Sequence, residues 1–424
     1  MLREDVERFN EWWFTGKVRE ELAPKYKRHA FKDILESLND RRITMITGLR
    51  RVGKTTILYQ LIENILTYED PRRLLYFSFD ESNANLREVL SFYERNVLMK
   101  PLEEAGRVYV FLDEVQYAMD WASTLKKFYD LYPKIKFVIS GSSTILLSRE
   151  ALEKLAGRFT LIELKPLTFK EFLEMRGIQI GGLEYSQRRM EIYFMEYLRK
   201  AGFPEIVDWS SEVKISEYIR NAVVDRVVIR DVPRIFKTRD MILMEEIVKI
   251  ILSNPGGILN VNSIARDLGK SKITISNYLK FLEASLIVKS LSNYRPSKMA
   301  SSRKLKKFYP STTSLIYAYS KETFEESMGR VLETYVVNTL NAEYYYRMGG
   351  REINVILKSD GGIIPIEVKE KVDARDIEKF KGNMEYINAE SGVMITLNQE
   401  MDYGGVKIYP AYKLEDLKLK QLLA

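Results

Sequence analysis

The segment RRITMITGLRRVGKTTILYQLIENIL, residues 41–66, constrains this chain more than any other. A short apolar run leads into Gly48-Leu49-Arg50-Arg51-Val52-Gly53-Lys54-Thr55-Thr56, and Ile57, Leu58, Leu61, Ile62 and Ile65 follow on one helical side. The pattern G-x-x-x-x-G-K-[ST] predicts strand, loop and helix, with loop N–H groups turned inward around a phosphate chain at the helix N-terminus. In that arrangement Lys54 reaches the β and γ phosphates of ATP, and Thr55 offers its hydroxyl to Mg2+.

Such a loop needs a second strand that brings a carboxylate to the metal. Residues 108–112, VYVFL, read as a strand buried on both faces and end at Asp113-Glu114. Asp113 is expected in the magnesium shell and Glu114 as the group that orients or deprotonates a water. A third apolar strand, from Lys136, ends in Ser140-Gly141-Ser142-Ser143. Ser140 reads either as a contact to the γ phosphate or the attacking water, or as a cap of the next turn. Arg158 opens the strand 160–164; it reads either as a charge-stabilising finger reaching a neighbouring subunit or as half of a structural ion pair.

Composition narrows the chemistry. The 424 residues include no cysteine, which excludes thiolate zinc and cysteine nucleophiles, and one histidine, His29, which argues against a Ser/His/Asp triad or a histidine-rich metal site. Carboxylates, lysine, arginine, hydroxyls and backbone amides remain, a set suited to phosphate chemistry with magnesium. No apolar run is long enough to span a membrane, and a cytoplasmic protein is expected. Length predicts two to four domains. The net charge of +7 equals the seven cations between Lys289 and Lys307 (Lys289, Arg295, Lys298, Arg303, Lys304, Lys306, Lys307), a stretch without an acid.

Residues 166–240 have helical periodicity. Arg226, Arg230 and Arg234 recur every four residues, but Pro233 is expected to break any single helix through them. Asp225 and Asp231 among them favour a solvated, ion-paired face over a phosphate-sensing stripe. Residues 257–270 predict a helix capped near Asn262 and closed by Gly269, and a second helix starts at Ser271. Ile275, Leu279, Leu282 and Leu286 form its buried stripe; Lys272, Ser276, Asn277 and Lys280 face outward. With LIVKSL and a basic loop behind them, the order reads as a winged helix-turn-helix. Its outward residues suit a DNA groove and residues 293–307 suit phosphates; docking a protein is the other reading.

The last hundred residues predict a helix at 328–340, strands at 343–348, 351–358 and 362–369, a helix at 374–388, and strands at 392–397 and 406–409. That order is the restriction-endonuclease-like, PD-(D/E)XK core, and Glu333, Asn354, Glu367 and Lys369 fall where its acids and lysine belong. Asn354 lacks the charge of the usual aspartate. At about 4 Å and an effective dielectric of about 20, that charge is worth roughly 8 kcal/mol against a dication before desolvation. Glu333 and Glu367 are left as a vestigial metal site, and loss of cleavage is expected.

Together GLRRVGKTT, VYVFLDEVQ, ISGSS, LAGRF and PLTFKEF resemble the archaeal and bacterial AAA+-type ATPases of the AAA_14/DUF4143 group. AGFPEIV, the helix-turn-helix and GREINVILK…IPIEVK continue the likeness over nearly the whole chain, and FNEWWF resembles a segment that precedes the loop in those proteins. Lys200-Ala201-Gly202-Phe203-Pro204 departs from it, a pair of glycines being more usual. The resemblance implies an ASCE-type parallel sheet with a helical lid. The expected organisation is α/β: a P-loop ATPase domain at 1–165, a lid at 166–240, a winged helix at 241–310 and a nuclease-like domain at 311–424. Expected activity is hydrolysis of Mg-ATP coupled to DNA or a partner, with a homo-oligomer allowed. An ATP-regulated nuclease and a slow nucleotide switch are the alternatives.

Overall fold

The computed structural model describes residues 2–80, 84–142, 153–178, 187–236, 238, 240–295, 305–359 and 362–417. The chain divides into two compact units, Met1–Lys165 and Pro166–Ala424.

In the first unit β1 (Ile43–Thr47), β2 (Leu74–Ser78), β3 (Val108–Asp113), β4 (Ile135–Gly141) and β5 (Phe159–Glu163) form one sheet in the order β2-β3-β4-β1-β5. Every neighbouring pair is parallel. This is the parallel α/β sheet expected for a P-loop. β1, β3 and β4 are buried along their whole length, which is why they read as mainly apolar runs, with Thr44, Lys136 and Ser140 buried among them. Parallel strands need crossovers, and the helices Lys54–Ile65, Leu86–Tyr93 and Trp121–Leu131 supply them. All five strands therefore end at one edge, which gathers residues distant in sequence.

The outer edge of β2 is covered by the chain's lead-in. Asn10 mimics a strand: its Nδ2 donates to the Tyr76 carbonyl at 2.8 Å and its Oδ1 accepts from the Tyr76 N–H at 2.7 Å. The indoles of Trp12 and Trp13 both donate to the Leu74 carbonyl. FNEWWF thus caps an edge that would otherwise offer unpaired backbone groups.

In the second unit, the elements described before residue 237 are helical, the longest being Gln187–Lys200 and the π-wound Ile219–Asp231. The break expected at Pro233 is instead a change of winding. Ile219–Asp231 runs directly into the α-helix Val232–Phe236, and the winding changes next to Pro233, which has no N–H to give to either ladder. The helices Val261–Asp267 and Lys272–Ala284 form at the expected place; Asn260 caps the first, accepting from the N–H groups of Asn262 and Ser263.

One nine-stranded sheet follows. It contains β6 (Gly257–Leu259), β7 (Val288–Asn293), β8 (Lys306–Pro310), β9 (Tyr344–Met348), β10 (Arg351–Ser359), β11 (Gly362–Val368), β12 (Gly392–Thr396), β13 (Met401–Tyr403) and β14 (Val406–Pro410). Their order is β13-β14-β12-β11-β10-β9-β7-β8-β6. The short β6 and β13 were not expected, nor was β8, whose first residues fall in the expected basic loop 293–307. β6 precedes the helices Val261–Asp267 and Lys272–Ala284, β7 and β8 follow them, β8 pairs antiparallel with both β6 and β7, and parallel pairing of β7 with β9 carries the sheet onward into the C-terminal strands. Helix Met328–Thr339 and helix Ala374–Tyr386, the latter with an Asp373/Asp376 capping box, flank that C-terminal part.

Candidate nucleotide site and a carboxylate cluster

The loop after β1 has the backbone its glycines permit. A Cβ on Gly48 would lie 2.4 Å from the Leu164 carbonyl oxygen, and Gly53 holds φ +101° as the helix begins, so neither position accepts a side chain. Leu49 and Val52 are fully buried and anchor the loop. Arg28 clamps it from outside, donating to the Val52 carbonyl at 2.8 Å and to the Lys165 carbonyl at 2.9 Å. The buried Lys54 ammonium lies inside the loop, 3.1 Å from each of the Gly48 and Leu49 carbonyl oxygens. Arg50 pairs with Asp80 at 3.6 Å.

Asp113 ends β3 opposite this loop and is 3 % exposed. Its Oδ2 accepts from Thr55 at 2.7 Å and from the Tyr76 hydroxyl at 3.0 Å, while Oδ1 accepts from Ser140. Ser140 therefore orients the carboxylate, which neither of its expected readings anticipated. The half-buried Glu114 follows at φ +51°, a left-handed conformation that turns it away from the strand direction. Burial pushes its carboxyl above the usual range, Lys54 opposes that and Asp113 adds to it. Gln116 donates its amide to Glu114 Oε2.

This donor set fits a nucleotide with magnesium. Thr55 and Asp113 present hard oxygens within hydrogen-bond distance of each other, a lysine lies in the loop, and a side chain at Gly48 would collide with the Leu164 backbone that borders the loop. Tyr76 and Arg28 escaped sequence reasoning because neither belongs to a contiguous motif, and the role of Asn10 because FNEWWF carries no chemistry legible without the edge of β2.

Arg158 lies elsewhere. It precedes β5, whose register runs from Ile43↔Phe159 to Thr47↔Glu163, so about 13 Å of strand separates it from the loop end of the sheet. Its guanidinium forks onto Asp130, Nε at 2.9 Å and Nη2 at 3.2 Å, and this contact holds the Asp130 carboxyl below its usual range. It does not reach this chain's own loop.

In the second unit the structure gathers the C-terminal candidates, with a change. Glu333, on helix Met328–Thr339, accepts from Lys307 Nζ at 3.0 Å and from the Tyr309 hydroxyl at 2.6 Å. Lys307 also pairs with Glu352 at 2.7 Å. Asn354 Oδ1 accepts from the Val368 N–H at 2.8 Å, so its carbonyl serves the backbone. Lys369 pairs with Asp376 at 3.6 Å. Glu367 is held in the sheet with Oε2 buried and without a hydrogen-bond partner. Among the described residues no three acids or histidines group as a metal cage.

The basic stretch is also corrected. Lys307, expected on phosphates, is 4 % exposed and paired as above, and Lys306 pairs with Glu283 at 3.4 Å. Lys289 donates to Asn341. Lys298, Arg303 and Lys304 lie outside the described residues. On helix Lys272–Ala284, Lys272, Asn277 and Lys280 are exposed, as expected, with Ile273 beside them. No helix among the described residues is long and apolar enough to cross a membrane.

Residues 40–173 match the family model described as AAA domain, and residues 192–326 match a model described as Domain of unknown function (DUF8612), where the resemblance had pointed to DUF4143. An uncharacterized protein of Haemophilus influenzae is 24% identical over 258 residues, covering 59% of this chain, and the match spans only 62% of that relative's length. Two uncharacterized proteins of Methanocaldococcus jannaschii are similar: one 27% identical, over 72% of this chain and 68% of its own, the other 28% identical, over 88% and 85%. Among solved structures, Aeropyrum pernix Orc1 in complex with DNA shares 14% identity over 75% of this chain and 98% of that one, with a TM-score of 0.34. Cdc6p from Pyrobaculum aerophilum shares 16% over 73% and 99%, with a TM-score of 0.30. The residues matched by the AAA domain model, 40–173, contain the loop 48–55 and all five strands of the parallel sheet described above.

Proposed function

We propose that this chain binds and hydrolyses Mg-ATP at the loop 48–55 and uses the cycle to act on DNA held by its helix-turn-helix. The observation that carries the reading is the convergence of Thr55, Asp113 and Glu114 at one strand edge. Magnesium, when bound, neutralises charge on the β and γ phosphates. Lys54 adds a fixed positive charge, Gly48 to Thr55 direct their N–H groups at the phosphates, and Thr55 with Asp113 holds the metal shell. Glu114, with its carboxyl raised by burial, takes a proton from the attacking water more readily than an exposed glutamate does. Segments 166–240, 241–310 and 311–424 serve as lid, winged helix and a nuclease-like module that does not cut.

The Gln116 amide on Glu114 favours a second reading, a nucleotide switch with slow turnover, because it ties up one oxygen of the base. One experiment separates them. Lys54→Ala should abolish tight ATP binding, and Glu114→Gln should bind ATP but turn over at least about a hundredfold more slowly. Turnover by Glu114→Gln equal to wild type refutes the base. Wild-type turnover that is slow, and accelerates in Gln116→Ala, selects the switch.

A further inference from the structure

The restriction-endonuclease-like order of the C-terminal strands calls for a divalent metal on Glu333, position 354 and Glu367. The residues present do not fit one. We propose that this cluster is a closed site whose cation is the ammonium of Lys307, supplied by β8 of the helix-turn-helix segment, and that Asn354 is not the only lesion. The inference rests on reading the module as nuclease-like.

Lys307 Nζ lies 3.0 Å from Glu333 Oε1 and 2.7 Å from Glu352 Oε1, with its side chain 5 % exposed. The ring of Tyr345 stands below it, 5.4 Å from centroid to Nζ, and the hydroxyl of Tyr309 shares the same Glu333 oxygen. Lys307 and Tyr309 alternate along β8, so one face of that strand delivers both groups. Glu333 is 12 % exposed on its side chain and has its inner oxygen fully engaged.

A magnesium ion needs an oxygen such as this one at about 2.1 Å, in an octahedral shell that keeps several waters. An ammonium within 3.0 Å of that oxygen stands where metal or shell water would be. At about 4 Å its repulsion of a dication equals the attraction of one carboxylate, so Lys307 cancels one acid of the set. The amide carbonyl of Asn354 is directed at the Val368 N–H, which removes a further donor. Glu367, with Oε2 unpartnered, is then the one acid of the expected set without a hydrogen bond from an ammonium or hydroxyl at that atom. Because Lys307 belongs to the same sheet as β10, joined through β7 and β9, no rigid movement of a separate module withdraws it.

Restoring Asn354→Asp alone should therefore leave the site unable to hold metal. The test uses the full chain without nucleotide, in an Asp113→Asn background that removes the metal shell of the loop site, titrated with Mn2+ and read by electron paramagnetic resonance of free ion. The parent and Asn354→Asp should take up no Mn2+ at this cluster. Lys307→Met/Asn354→Asp should bind one Mn2+, at least about tenfold more tightly than any residual uptake by those two, the scale of one charge–charge contact in a partly solvated site, and lose it on Glu367→Gln. Binding by Asn354→Asp alone, removed by Glu367→Gln, overturns the inference, as does a folded double variant that stays silent. Should Lys307→Met not fold, Asn354→Asp decides alone, its silence upholding the inference and its binding refuting it. Metal-dependent DNA cleavage by wild type that Glu367→Gln removes would instead refute the non-cutting reading of the module.

Discussion

Glu367→Gln offers a test whose size follows from the structure. Burial pushes the Glu367 carboxyl from 4.5 up to about 7; Lys369 opposes that shift and Glu333 adds to it. In the folded chain the proton is held more tightly than in the unfolded chain, so the folded state binds more protons between those values. Stability then falls as pH rises from about 4.5 through about 7 and is level beyond. The difference of about 2.5 pH units, at about 1.4 kcal/mol each, amounts to about 3 kcal/mol. Glutamine carries no such cost. At pH 5 less than about 1 kcal/mol of it is felt, so the variant should be nearly as stable as wild type there and about 3 kcal/mol more stable at pH 8. For a unit of this size, at about 2 °C per kcal/mol, the gap in melting temperature should widen by about 5 °C between the two pH values. Scanning calorimetry of both proteins at pH 5 and pH 8 measures this. A gap that is the same at both values refutes the reasoning, because it would mean that the carboxyl titrates alike in folded and unfolded chains.

Tyr76→Phe removes one of three hydroxyls on Asp113 and should raise the Mg2+ needed for half-maximal binding of a fluorescent nucleotide about tenfold, the scale of one hydrogen bond to a charged group; an unchanged Mg2+ requirement refutes that role. If Arg158 acts across a subunit boundary, Arg158→Ala mixed with Lys54→Ala should regain ATPase activity in mixed assemblies. A protein that sediments as a monomer at every concentration, with and without nucleotide, sinks that idea. Replacing exposed Lys272 and Lys280 by Gln should weaken DNA binding and flatten log K against log salt by up to about 0.9 for each phosphate no longer neutralised. An unchanged slope moves the helix-turn-helix to protein docking.

The nucleotide loop was legible because its chemistry is contiguous: a phosphate cradle requires glycines, a lysine and a hydroxyl at fixed spacing, and flanking apolar runs show strand and helix. Asp113-Glu114 could be read for the same reason, as could the order of strands and helices between residues 328 and 410 apart from the short β13, where period-2 and 3.6-residue patterns are local. What tertiary structure alone decided is which distant groups meet. Tyr76 belongs to no motif, and only the parallel pairing of β2 with β3, which sets Ser78 beside Asp113, brings the Tyr76 hydroxyl to the carboxylate. Asn10 and Trp13 are polar and aromatic residues of a lead-in until they pair with the edge of β2. Charge misled most: seven cations without an acid look like a solvated, phosphate-binding face, since repulsion within a run disfavours burial. On β8 the alternation of a strand turned Lys307 inward, and Glu333 and Glu352, brought there by a helix and a strand from later in the chain, made that burial tolerable. A sequence shows which charges a chain carries, whereas the partners that make a buried charge stable depend on sheet register, which long-range packing sets.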